Sequence, residues 1–160
     1  SGLTDEYTDI AGDVQYERTF GQDLLTIHGT YIHENRKLDA SVFSETADDP
    51  SNDLKTFRFD AEYFMGQWQF IGGYFGVSGG TDPTLYCPDP AEDSVNCSAN
   101  GQPDSDGYIF QVGYSPWRNV QLMTQYTLYT KFDGSSSNYN GEGRSASDNN
   151  TLYMLAWLVW

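Results

Sequence analysis

The chain has 160 residues, with 23 Asp plus Glu against 8 Lys plus Arg, a formal charge of −15 and a pI near 4.1. That length suits one domain; the acidity excludes a nucleic-acid binder, which needs a positive field for phosphates, and the 16% aromatic content excludes a disordered chain. No apolar run reaches the roughly 20 residues of a membrane-spanning helix. The mean hydropathy of −0.58 is blind to strands that alternate between two environments.

Helical spacing is almost absent, and strict alternation is common. From Tyr7 to Phe20 the even positions include Ile10, Val14, Tyr16 and Phe20, while the odd ones include Asp9, Asp13, Gln15 and Glu17. After a turn at Gly21-Gln22-Asp23, Leu25, Ile27, Gly29 and Tyr31 alternate with Thr26, His28 and Thr30, and Glu34 follows on that second face. The sharpest pattern sets Phe57, Phe59, Ala61, Tyr63 and Met65 against Thr56, Arg58, Asp60 and Glu62. A turn at Gly66-Gln67 leads to Trp68 to Val77, where both faces are fairly apolar. A fifth strand, Gly107 to Ser115, carries Gln111 opposite Phe110 and Val112. The turn Pro116-Trp117-Arg118-Asn119 precedes a sixth strand, from Val120 to Phe132, with Gln121 and Gln125 on its polar face. A seventh runs from Thr151 to Trp160. Short turns follow strands one, three and five, and long links at 37–53, 78–106 and 133–150 follow the others. Those links hold 14 of the 23 acidic residues, so one end of the molecule is acidic and irregular while the other is trimmed.

Cys87 and Cys97, ten apart in a polar loop, can close a small disulfide loop; free thiols are the alternative. Without Cys-x-x-Cys or neighbouring His, zinc and attached haem have no support. The acids around Asp89, Glu92, Asp93, Asp104 and Asp106 lack EF-hand spacing and read as solvated surface. His28 and His33 fall on opposite faces of one strand, no Gly-x-Ser-x-Gly elbow is present, and Arg58 beside Asp60 and Glu62 argues for charge pairing. No catalytic function, metal or cofactor is expected.

Strands of nine or more residues with one aromatic-rich face fit a tilted membrane crossing, where only a closed sheet satisfies the backbone. With the final Leu152, Met154, Ala156, Leu158 and Trp160, the sequence resembles the C-terminal part of a Gram-negative outer-membrane β-barrel. The resemblance implies an all-β, antiparallel up-and-down transmembrane β-barrel spanning residues 1–160, located in the outer membrane, its closing aromatic read by the barrel-insertion machinery. The three long loops then face outside. Seven strands is an odd number for such a family, so the expectation is a section of a larger barrel whose N-terminal segment is missing; an overlooked strand is the alternative. Phe57, Phe59, Tyr63, Trp68, Trp117 and Trp160 are the expected anchors in outer-membrane lipid. Asp9, Asp13, Glu17, His28, Glu34, Arg58, Asp60, Glu62, Gln111, Gln121 and Gln125 are the expected pore lining. The bland reading of that set is a salt-bridge network that holds strand register. The implied function is a porin-like channel for small hydrophilic solutes or cations. The rivals are a sheath around a partner such as an electron-carrying cytochrome and a soluble ligand-binding barrel with the aromatics inside; an oligomer is a further partner that the resemblance allows.

Overall fold

The computed structural model describes residues 2–87 and 94–159. Seven antiparallel strands form one sheet in the order β1-β2-β3-β4-β5-β6-β7, each beside its chain neighbour. They are β1 (Glu6–Phe20), β2 (Asp23–Lys37), β3 (Ser51–Met65), β4 (Trp68–Gly79), β5 (Ser105–Trp117), β6 (Val120–Lys131) and β7 (Thr151–Leu158). Two-residue turns beginning at Gly21 and Gly66, both with positive φ, close the first two tight hairpins. Glycine at that turn position matches the right-handed strand twist. The Arg118-Asn119 turn has no glycine, and the register slips between Tyr114 and Trp117.

The all-β reading and the alternation of short and long connections agree with this architecture; closure does not. β1 and β7 are both edges of the sheet, and among the described residues neither pairs with the other. An odd number of antiparallel strands leaves both edges running in the same direction, so the ladder cannot close on itself by antiparallel pairing. The strands also run further into the acidic end than the alternation suggests. β2 reaches Lys37 and β3 starts at Ser51, so Asp53 is a strand residue, as is Asp106 in β5. Polar side chains do not interrupt a ladder whose hydrogen bonds come from the backbone.

Burial is concentrated away from the sheet. Every residue of β1 and of β7 is exposed, whereas Leu38, Ala47, Cys97, Tyr139 and Ala146 are buried, all in the long connections. Those connections form an ordered layer. Asp82 is fully buried and caps the short helix α2 (Pro83–Tyr86) by accepting from the Leu85 amide at 2.9 Å. It also accepts from the amides of Asp48 and Asp49 at 3.0 and 3.1 Å, joining the first link to the second. The disulfide Cys87–Cys97 closes a loop within the second link. Tyr139 donates its hydroxyl to the Val95 carbonyl at 2.8 Å, and its own carbonyl accepts from the Ala99 amide, which ties in the third link.

Candidate functional site

The register assigns every strand residue to one of two faces, because directly paired residues share a face. Asp9 pairs with Glu34, Asp13 with Thr30, and Gln15 with His28. His28 pairs with Asp60, Thr30 with Arg58, and Thr26 with Glu62. Across the sheet the same face continues through Gln69, Ile71, Gly73 and Phe75, then Ile109 and Gln111, then Gln125, Met123 and Gln121, and ends on Tyr153, Leu155 and Trp157. All eleven residues read as pore lining therefore lie on one face. The expected anchors Phe57, Phe59, Tyr63 and Trp68 lie on the other, and Trp117 joins them through the bulge opposite Val120. Trp160, Asp89, Glu92 and Asp93 lie outside the described residues.

At the centre of the polar face four ionisable side chains meet across three strands. His28 on β2 places Nε2 3.6 Å from Asp13 Oδ1 on β1 and Nδ1 4.0 Å from Asp60 Oδ1 on β3. Arg58 Nε holds the same Asp60 oxygen at 2.9 Å, and the Thr30 hydroxyl donates to Asp13 at 2.6 Å. The imidazole uses opposite ring nitrogens for the two carboxylates, so it bridges strands and offers no single point for a metal; among the described residues no acid, His and Cys cluster suited to a metal forms. Glu62 accepts from the Gln69 amide, which carries the network onto β4. Gly73, directly opposite Asp60, leaves little room for a side chain there: a Cβ would sit 3.0 Å from Asp60 Cβ.

The charge on this face is segregated. Asp9, Asp13, Glu17, Glu34, Asp60 and Glu62 face Arg36 and Arg58 on β1 to β3, while the paired residues of this face on β4 to β7 include no Asp, Glu, Lys, Arg or His. Alternation alone did not place Arg36, which pairs with Glu34 at 2.8 Å and donates to the Tyr86 hydroxyl at 3.1 Å. Nor did it place Tyr153, Leu155 and Trp157, because β7 is apolar on both faces. A line of edge-to-face rings, Phe75, Tyr129, Phe132 and Tyr139, with centroids 5.4, 5.2 and 4.9 Å apart, joins this face to the loop layer.

The opposite face is apolar and bare. Ile10, Val14, Phe57, Phe59, Phe110, Leu122, Leu152 and Met154 are between 44% and 70% exposed, a continuous surface with no protein cover. It ends toward the loops at a polar margin where Lys55 meets Asp53 at 2.7 Å and Lys37 meets Glu6 at 3.2 Å.

In the loop layer, burial alone would raise the Asp82 carboxyl, but the amides of Leu85, Asp49, Asp48 and Thr84 outweigh it and hold the group below the ordinary carboxylate range. Asp133 has no such compensation, and burial pushes its carboxyl up to about 6. No protein-family description, curated protein or solved structure matches this chain.

Proposed function

We propose that the sheet is part of the wall of an outer-membrane β-barrel, its apolar face against lipid and its polar face lining a water-filled bore for small hydrophilic solutes and cations. The observation that carries this reading is the exposed apolar face. A soluble protein rarely leaves a contiguous apolar surface of this extent uncovered, whereas a bilayer covers it without protein contacts. On β3 the apolar run from Phe57 to Met65 spans eight residue steps, roughly 26 Å along the strand at about 3.3 Å each, or about 20 Å of depth at a tilt of about 40°. That depth approaches the roughly 25 Å apolar band of such barrels. The loop layer then lies outside and the tight hairpins on the periplasmic side. Closure is supplied by further strands beside β1 and β7, either in another segment of the protein or in an oligomer, and the insertion machinery delivers the whole to the membrane.

The excess of carboxylates over guanidiniums on the polar face favours cations over anions. The carboxylate, imidazole and guanidinium network also fixes the register of β1 to β3, so it serves structure and selectivity together. A second reading, a sheath around a partner, draws support from Tyr153, Leu155 and Trp157, exposed rings and an aliphatic chain on the otherwise polar face.

Planar-bilayer recording under a salt gradient tests the channel. The expected result is a water-filled conductance with a cation-selective reversal potential, reduced toward zero when Asp60→Asn and Glu62→Gln are combined. Protein that remains monodisperse in plain buffer and leaves bilayers unaltered would refute the membrane assignment. Protein that inserts without conducting would favour the sheath.

A further inference from the structure

On the polar face of the sheet, β7 presents Tyr153, Leu155 and Trp157 in succession, the two rings 49% and 59% exposed. Four residue steps separate the rings, roughly 13 Å along the strand at about 3.3 Å each. Each ring has a carboxamide directly opposite it on β6: Gln125 faces Tyr153 and Gln121 faces Trp157. Gln111 on β5 extends the first of these rows beyond Gln125. The side chains of Gln111, Gln121, Tyr153 and Trp157 have no hydrogen-bond partner among the described residues, and Gln125 has one long contact, its Nε2 3.4 Å from the Thr127 hydroxyl. Gln121 and Trp157 also line a recess of about 240 Å³ at the hairpin end, where Arg118 of the β5–β6 turn is the one charged lining residue among those described.

The plain account is that the amides are solvated and the rings await the strand that follows β7. A following strand would bond to the backbone edge of β7, however, and leave its inward side chains facing the bore. Water alone gives the rings no reason to be there. A sugar ring does: its C–H face stacks on an aromatic ring, while the hydroxyls at its rim both donate and accept, as a carboxamide does. The charge pattern selects among sugars. The paired residues on this side carry no charge, whereas six carboxylates stand against two guanidiniums on the same face of β1 to β3. That excess repels an anionic sugar and draws a cation away from the rings, so an uncharged solute suits the β5 to β7 side.

We propose that this side of the polar face binds an uncharged linear oligosaccharide, its ring faces on Tyr153 and Trp157 and its hydroxyls on Gln111, Gln121 and Gln125. The proposal rests on the channel reading above and names its solute: neutral sugars pass along β5 to β7, and cations along β1 to β3.

The test is saturation-transfer NMR on the full chain in lipid vesicles, with aromatic protein protons irradiated and a linear glucose tetrasaccharide as the probe. A galacturonate tetrasaccharide and a polyethylene glycol of equal mass are the comparators. The expected result is saturable transfer to the ring C–H protons of the glucose probe, with little to either comparator. Trp157→Ala should weaken the binding on the order of tenfold, the scale of one lost ring contact, and Trp157→Phe should restore most of it. Combining Gln121→Leu with Gln125→Leu should weaken it at least as much, with unaltered amide exchange in β6 reporting that the variants fold. Equal transfer to the polyethylene glycol, preference for the galacturonate, or full binding by Trp157→Ala overturns the proposal. A chain that inserts and conducts cations without transfer to the glucose probe defeats this assignment alone. One that never enters the vesicles defeats the membrane reading and this proposal with it.

Discussion

Replacing Asp82 by Ala removes one fully buried carboxylate that accepts from three backbone amides on two separate links: Asp48, Asp49 and Leu85. A buried donor left without a partner costs about 1–3 kcal/mol, so three would cost roughly 3–9 kcal/mol if nothing relaxed. Water entering from the loop surface recovers part of this, leaving on the order of 3–5 kcal/mol. The loss is local, because β1 to β7 hold one another through their own ladders. Amide hydrogen exchange should therefore show protection at Asp48, Asp49 and Leu85 falling by two or more orders of magnitude while the sheet amides of β2 and β3 stay unchanged. Asp82→Asn keeps one acceptor oxygen and should fall between. Because the native carboxyl is held below its ordinary range, its contribution is complete at pH values above about 4 and disappears as pH falls through the lowered folded value. Wild-type protection at these amides should thus drop at strongly acidic pH, whereas the Ala variant shows no such step. Unchanged exchange in Asp82→Ala would refute the idea that this side chain joins the two links.

Asp133 carries the opposite sign. Its folded value of about 6 exceeds the unfolded value near 4, so the folded state is penalised as pH rises through that window. Asp133 also has φ 44°, a left-handed conformation that Asn adopts readily. Asp133→Asn should raise stability at pH 7 by on the order of 1–2 kcal/mol after allowance for solvent screening, and the gain should vanish below about pH 4, as a thermal unfolding series against pH will show. At Gly107 a Cβ would run into the Leu128 carbonyl on β6 and crowd the Phe75 ring. Gly107→Ala should therefore cost roughly 2–4 kcal/mol by forcing the β5–β6 ladder apart, with a lowered unfolding midpoint and new exchange at β6 amides.

How much of this was legible in the sequence depended on contrast between faces. Strand β3 declared itself because Arg58, Asp60 and Glu62 alternate with Phe57, Phe59 and Ala61, and the register of its neighbours then sorts the whole sheet. Strand β4 did not, since Ile71 and Phe75 on the polar face are as apolar as Phe70 and Tyr74 on the other. Strand β7 hid Trp157 for the same reason. Cys87 and Cys97 were readable as a possible disulfide from a short separation within one loop, and the bond forms. The loop layer was not readable: Asp82 reaches Asp48 and Asp49 across more than thirty residues, a contact that leaves no periodic trace. Its local signal was Asp82 followed by Pro83, a helix-start pattern. Tyr139, a lone aromatic among Ser, Asn and Gly, likewise marked a buried plug. The odd strand count is in line with a sheet whose two edges, β1 and β7, do not pair with each other among the described residues.

The central claim is that the apolar face meets acyl chains and the polar face meets water. Nitroxide labels placed one at a time from Thr56 to Met65, in protein reconstituted into vesicles, test it by comparing collision with lipid-soluble oxygen and with a water-soluble nickel chelate. The expected profile is a two-residue oscillation, with oxygen favoured at Phe57, Phe59 and Ala61 and the chelate favoured at Arg58, Asp60 and Glu62. The reverse phase, or a flat profile across the segment, would contradict it.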